Sequence, residues 1–205
     1  MQVAGAVLAG GAARRYGGTP KGLLTVGGRR ILDRVVDVVQ RVAGTPPVLI
    51  ANAEGAGSWR PDLDAIPDVR PGCGTLGGIY TAVSRSAAPV LCVAWDMPFV
   101  PEGLLRALVD RLAAARGAYD AVLPESAGRR GVEPLCAVYA PPCAPAIARR
   151  LERGDLQAIS FHPDVRIGIV PLAEVRGFGD PDELFFNVNT PDDLMRAEAL
   201  WRRRG

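Results

Sequence analysis

Between Val3 and Lys21 the chain reads VAGAVLAGGAARRYGGTPK, a stretch that concentrates residues able to hold a polyphosphate. Gly10 and Gly11 follow the apolar run Val3 to Ala9. Arg14, Arg15 and Lys21 bring fixed positive charge, with Gly17 and Gly18 between them. Glycines at the end of a buried strand remove side chains where a ligand must come close to the backbone. Exposed N–H groups and cations can then share the negative charge of phosphate oxygens. The spacing matches neither common phosphate loop: Lys21 is followed by Gly22, so GxxxxGK[ST] is absent, and the stretch contains no GxGxxG.

Asp96 is the second residue able to do chemistry. It stands in WDMPFVP, directly after the apolar run Pro89 to Ala94. One carboxylate, completed by phosphate oxygens and waters, is a usual way to hold Mg²⁺, which makes Asp96 the metal candidate. Asn52 and Asp68 close two further extended segments. In an open α/β sheet, ligands bind beyond the carboxyl ends of the strands, so Gly10, Gly11, Asn52, Asp68 and Asp96 are read as one site. A nucleophilic triad does not assemble, because His162 in SFHPD is the only histidine. Transfer to a phosphate monoester needs none. Its nucleophile is already an anion, and the protein supplies alignment and charge neutralisation.

The loop LAGGAARRYGGTPK resembles the LAGGxxxRMGxxK signature of nucleotidyltransferases, and within them the chain is most similar to the molybdenum cofactor guanylyltransferases. Tyr16 stands where Met or Phe is usual, and Pro20 where an acidic residue is common. WDMPFVP resembles the family's CDMPFV, and Gly74-Thr75-Leu76-Gly77-Gly78 resembles GPLxG with Thr75 in place of proline. FFNVNTPDDL, Phe185 to Leu194, resembles FxNVNTPEDL, and VEPLCAVY, Val132 to Tyr139, resembles an acceptor-side strand. The resemblance implies a catalytic set of Lys21, Arg15 and Asp96, with Asp96 binding the metal, Mg²⁺. It implies nucleotide contacts at Leu8, Ala9, Gly10, Gly11, Lys21, Asn52, Asp68 and Asp96, and acceptor contacts at Asn187 and Asn189. The implied reaction transfers GMP from GTP to molybdopterin, with or without its molybdenum, and releases pyrophosphate. Molybdenum insertion proteins or apo-molybdoenzymes are the implied protein partners. Two other readings stay open: a relative using CTP or another acceptor such as a sugar phosphate, and a non-catalytic nucleotide-binding protein that delivers the cofactor.

These residues require elements to position them. Strand and helix signals alternate along the chain, which predicts a three-layer α/β/α, Rossmann-like domain with a mainly parallel central sheet. Ile31, Leu32, Val35, Val36, Val39 and Val42 recur at helical spacing over Arg30 to Ala43. Strands are expected at Val3–Ala9, Pro47–Asn52, Leu63–Pro67, Pro89–Ala94, Tyr119–Pro124, Pro134–Ala140 and Val165–Pro171. Helices are expected from about Leu76, from Pro101 to Ala115, and over Pro142–Arg153 and Asp155–Ser160. Thr190-Pro191-Asp192-Asp193 provides a cap, a first-turn proline and two carboxylates for a last helix. With no internal repeat or linker, residues 1–205 are expected to form one domain, its N-terminal half binding nucleotide and its C-terminal half the acceptor.

Composition removes several classes of function. Apolar residues make up 48%, which suits a packed core rather than a disordered chain. A net charge of +2 offers no footprint for nucleic acid or a membrane surface. Lys21 is the only lysine among 24 basic residues. The four cysteines, at 73, 92, 136 and 143, form no CxxC, so a zinc site is not expected, and Cys92 and Cys136 read as core residues. No basic leader precedes the first strand and no apolar run reaches membrane-spanning length, so the cytoplasm is the expected compartment.

Overall fold

The structure, a computed structural model, describes residues 1–10 and 20–204. In chain order it forms β1 (Ala4–Leu8), β2 (Thr25–Val26), β3 (Arg29–Arg30), α1 (Ile31–Ala43), β4 (Val48–Ile50), β5 (Ala65–Ile66), α2 (Gly74–Ser84), β6 (Val90–Ala94) and α3 (Glu102–Ala114). There follow β7 (Ala121–Pro124), β8 (Cys136–Tyr139), α4 (Cys143–Glu152), β9 (Ile167–Val170), α5 (Leu172–Val175), α6 (Pro181–Leu184) and α7 (Pro191–Arg204). Seven strands join in one sheet, ordered β5-β4-β1-β6-β8-β7-β9, while β2 and β3 pair as a separate antiparallel hairpin. The sheet is parallel except for β8, which runs antiparallel to both β6 and β7.

Side chains that alternate along a strand enter opposite layers. In β1, Val7 packs into one apolar cluster and Ala6 and Leu8 into the other. In β6, Leu91 and Val93 face the first cluster while Val90 and Cys92 face the second. Helices α1 and α3 bury Val35, Leu104 and Leu108 against the first face; α2 and α4 bury Leu76, Ile79 and Ile147 against the second. The result is helices on both faces of the sheet. Both faces of β1 and β6 are covered, which is why their sequences are unbroken apolar runs rather than alternating ones.

The α1 periodicity is realised almost to the residue, and its end is set by Gly44, whose φ of 76° puts it in the left-handed region and whose N–H bonds Gln40 O. The helix expected over Asp155–Ser160 does not form. Gly154, at φ 73°, ends the preceding helix, and the chain passes through turns into one 3₁₀ turn at His162–Asp164. Short helices α5 and α6, and the β2–β3 hairpin, appear where the sequence carried no clear period.

At the carboxyl end, Thr190 caps α7 as its sequence predicts. Asp193 N–H donates to Thr190 Oγ1 at 3.2 Å, and Asp193 Oδ2 accepts from the N–H groups of Thr190 at 2.8 Å and Asn189 at 3.0 Å. Further along, α7 lies on the β2–β3 hairpin. Glu198 Oε1 accepts from Gly27 N–H at 3.0 Å, and the Arg34 guanidinium stacks 3.9 Å from the Trp201 ring centre. Gly27 has a φ of 57°, and a Cβ there would fall 2.1 Å from Trp201 Nε1, so only glycine permits this docking.

His162 is half-buried beside Phe161, whose ring meets it edge-on at 4.9 Å, and its Nε2 has no partner among the described residues. Burial pushes the imidazole down to about 4 from an ordinary value near 6.5. The unfolded chain therefore takes up a proton here at higher pH than the folded one. Stability that is full above about pH 6.5 drains away as the pH falls toward 4. Discounted for partial exposure, this amounts to about 1–2 kcal/mol. Denaturant titrations of wild type and His162→Gln at pH 7 and pH 4.5 are expected to show the smaller acid loss in the variant.

Candidate active site

The sheet register assembles the site. Leu8 lies opposite Ile50 and Ala94, and Ile50 lies opposite Ile66. Two residues beyond this single row come Gly10, Asn52, Asp96 and Asp68. Four separate strand ends thus deliver their chemistry-bearing residues to one sheet edge, above which a cleft of about 640 Å³ opens. Gly10, Asn52, Asp68 and Asp96 line it, with Lys21, Asn187 and Asn189. Leu8 lines its floor, whereas Ala9 is buried and spends its N–H on Ile50 O. Gly11, Arg14 and Arg15, with Tyr16, Gly17 and Gly18, lie outside the described residues.

Lys21 opens a short 3₁₀ turn and is only 8% exposed. Its Nζ donates to Asn189 Oδ1 at 2.5 Å. The adjacent Gly22 sits against Trp95, where a Cβ would come within 2.3 Å of the indole ring. Trp95 in turn stacks on Trp59 at 5.1 Å. A small residue, an aromatic pair and a distant amide therefore fix the one lysine in the cleft.

Asn52 and Asp68 form a reciprocal pair. Asn52 Nδ2 donates to Asp68 Oδ2 at 2.6 Å, and Asp68 N–H donates back to Asn52 Oδ1 at 2.7 Å. Asn52 cannot turn without breaking both bonds, and its Nδ2 in turn holds the Asp68 carboxylate, so the wall between β4 and β5 presents a fixed polar edge. Thr81 Oγ1 accepts from Val69 N–H at 2.9 Å and ties the same loop to α2.

Asp96 has no side-chain partner among the described residues. Burial raises its carboxyl above the ordinary range, and the charge of Lys21 and its own N–H partly offset this. Its carbonyl accepts from Val188 N–H at 3.0 Å, which brings the Asn187–Asn189 segment to the cleft. Asn187 Nδ2 donates to Phe185 O at 2.9 Å, and the residue lines the cleft.

A further carboxylate, Glu133, was not singled out from sequence. It reaches the cleft because β8 runs backwards, so the start of that strand lies at the edge where the others end. Burial raises Glu133 as well; Leu135 N–H, 3.0 Å from Oε1, and the charge of Arg130 oppose the rise, and Asp96 adds to it. The legible signal was the Gly128-Arg129-Arg130-Gly131 turn between two apolar strands, a hairpin pattern that demands antiparallel pairing. No group of three or more His, Cys, Asp or Glu side chains among the described residues is placed to hold a metal alone. A buried carboxylate with no side-chain partner among the described residues fits a cation that arrives with most of its ligands already on a phosphate substrate.

Fold and cleft define an α/β protein built to hold a phosphorylated ligand at its strand ends. The model of the MobA-like NTP transferase domain matches residues 5–165. A probable molybdenum cofactor guanylyltransferase of Pelotomaculum thermopropionicum is 35% identical over 201 residues, 98% of this chain and 94% of that protein. The crystal structure of molybdopterin-guanine dinucleotide biosynthesis protein A from Archaeoglobus fulgidus is similar at a TM-score of 0.82 and 29% identity, covering 98% of this chain and 100% of that one. A Mycobacterium tuberculosis protein solved in complex with manganese shares the fold at a TM-score of 0.63 and 20% identity, with 97% and 98% covered. The chain belongs to the MobA-like NTP transferase family and is a nucleotidyltransferase.

Because Lys21 is the only lysine, its accessibility can be read directly by amine acylation and peptide mass spectrometry. Asp193→Ala removes the carboxylate that holds Asn189 and Thr190, and should cost about 1 kcal/mol of stability. Acylation of Lys21 is expected to rise several-fold in Asp193→Ala and further in Asn189→Ala. An unchanged rate in both variants would show that the lysine is held by something else.

Proposed function

We propose that the protein transfers GMP from GTP to molybdopterin, forming the guanine dinucleotide and pyrophosphate, with Mg²⁺ as the metal. The carrying observation is the register row that sets Gly10, Asn52, Asp68 and Asp96 around the buried Lys21 in one cleft, in a chain of this family. The printed functions of relatives that match nearly the whole chain supply the nucleotide and the acceptor.

In this reading the nucleoside lies on the β4–β5 side, where the Asn52–Asp68 pair offers a rigid polar edge to the base or ribose. The triphosphate runs toward Lys21, whose charge neutralises phosphate oxygens in both ground and transition states. A phosphate oxygen of the acceptor attacks the α-phosphorus, a new P–O bond forms, and the bond to the β-phosphate breaks with its electron pair leaving on pyrophosphate. Asp96 would hold Mg²⁺, which supplies charge neutralisation on the phosphates when bound. Asn189 keeps Lys21 in place, and Asn187 lines the same cleft. Arg15, outside the described residues, would add positive charge to the loop. Residues 1–205 then work as one domain, with the C-terminal segment completing the donor half through Asn189.

The direct test is incubation with molybdopterin, Mg²⁺ and each nucleoside triphosphate in turn, with chromatographic detection of the dinucleotide. Product from GTP is expected; product from CTP in its place would reassign the base. Asp96→Asn should keep the fold and most GTP binding and lose nearly all turnover, and normal Mg²⁺-dependent turnover in that variant would remove Asp96 from the metal. Lys21→Ala should raise the KM for GTP and lower kcat together, because the lysine serves both states. A change confined to Tm would make it a structural residue only.

A further inference from the structure

Two indole rings, Trp59 and Trp95, are stacked with their centres 5.1 Å apart and their planes 21° from parallel. That is a favourable separation for an aromatic pair. Both are buried, Trp95 at 3% exposure and Trp59 at 9%, and Trp95 also lines the cleft. Trp95 Nε1 has no hydrogen-bond partner among the described residues. Contact with its neighbours seats the ring.

Three segments that carry site residues meet at this pair. Trp95 directly precedes Asp96, and its N–H bonds Leu8 O at 3.2 Å, which ties the end of β6 to β1. Gly22 directly follows Lys21. A Cβ at Gly22 would fall 2.3 Å from Trp95 Cε3 and 2.8 Å from Cδ2. Gly22 is not at a positive φ, so space and not backbone conformation demands glycine here. Trp59 lies in the connection between β4 and β5, the same one that opens with Asn52. Its carbonyl accepts from Arg30 Nη1 at 3.1 Å, and Arg30 Nε is held by Asp33 of α1 at 2.7 Å.

A close-packed interior has little slack, so a change in the width of one buried ring moves what rests on it. Here the lysine turn rests on one side of Trp95, Asp96 is its neighbour in the chain, and Trp59 backs it from the Asn52 connection. Transfer between phosphates depends on alignment, and a misplacement of about 1 Å can cost about a hundredfold in rate.

We propose that Trp95, backed by Trp59, is a positioning residue whose indole sets the spacing between Lys21 and Asp96 and ties both to the Asn52 side of the cleft. This rests on the nucleotidyl-transfer reading given above. Trp95 acts through Gly22 and through its own neighbour Asp96, and not as a group on the reacting atoms.

The experiment uses the full chain in two arms. One arm follows acylation of Lys21 by peptide mass spectrometry; the other measures steady-state transfer from GTP to molybdopterin with Mg²⁺. The variants are Trp95→Leu, Gly22→Ala, the two combined, and Trp59→Leu. Leu108→Ala, in the core of α3 at 0% exposure, controls for lost stability. Trp95→Leu and Gly22→Ala are each expected to change the acylation rate several-fold and to lower kcat about tenfold or more. The KM for GTP should move less than kcat, because the charge of the lysine stays in the cleft. The double variant should regain most of kcat and return acylation toward wild type, since the new methyl takes space that the ring gives up. Trp59→Leu should shift both readouts in the same direction, to a smaller extent. Leu108→Ala should lower Tm and leave both unchanged below its transition. Wild-type acylation and kcat in Trp95→Leu, effects no larger than those of Leu108→Ala, or a double variant no better than the worse single one would each overturn the proposal. If Gly22→Ala does not fold, recovery of folding and turnover in the double variant supports it, and absence of that recovery overturns it. If wild type transfers nothing from GTP, the transfer reading falls, and the acylation arm alone decides whether the indole holds the lysine.

Discussion

The parallel pairing of β1 with β4 and β6 is the constraint on which the rest depends. Hydrogen bonds that match Leu8 with Ile50 and with Ala94 fix how far each strand extends before its loop begins. Because a strand slip of one residue turns every side chain to the other face, the buried alternation of Val7 against Ala6 and Leu8 holds that register in place. The chemistry of the cleft is thus a consequence of core packing. Gly10, Asn52, Asp68 and Asp96 meet because four apolar runs end level with one another.

Much of this could be read from residues alone, for a physical reason. A strand buried on both faces is written as an unbroken apolar run, and a glycine, asparagine or aspartate immediately after it marks the loop that faces a ligand. The α1 helix was equally legible, since its valines and leucines keep one face apolar through to Gly44. Glu133 was not, because its place in the cleft depends on strand direction, and a run such as Leu135 to Tyr139 reads the same in either direction. The Asp155–Ser160 segment shows the other limit. Leu156, Ala158 and Ile159 do not complete a helical stripe, and Gly154 releases the backbone from α4 just before them. Two-residue strands such as β2 and β3 carry no period at all; their turn at Gly27 packs against α7.

Asn189 also changes how the two ends of the chain relate. The motif that holds it was legible as an acceptor-side segment by resemblance and as a helix cap by physics. The structure places its side chain on Lys21 and its backbone N–H on Asp193. One residue therefore joins the cap of α7 to the turn that carries the lysine. The same helix grips the β2–β3 hairpin a few residues further on, through Glu198 and Trp201.

The separation of that contact along the chain has a consequence for synthesis. Lys21 and Asn189 are 168 positions apart. During translation the lysine leaves the ribosome early, while the amide that holds it emerges only after every strand of the sheet. Contacts this distant close late, because the entropy of a long loop must be overcome before they form. A nascent chain could thus complete its sheet edge and expose the cleft with an unheld lysine. Only release of the last helix would finish the nucleotide side, so that a ribosome-bound or prematurely ended product would be folded in its core and inert in its chemistry.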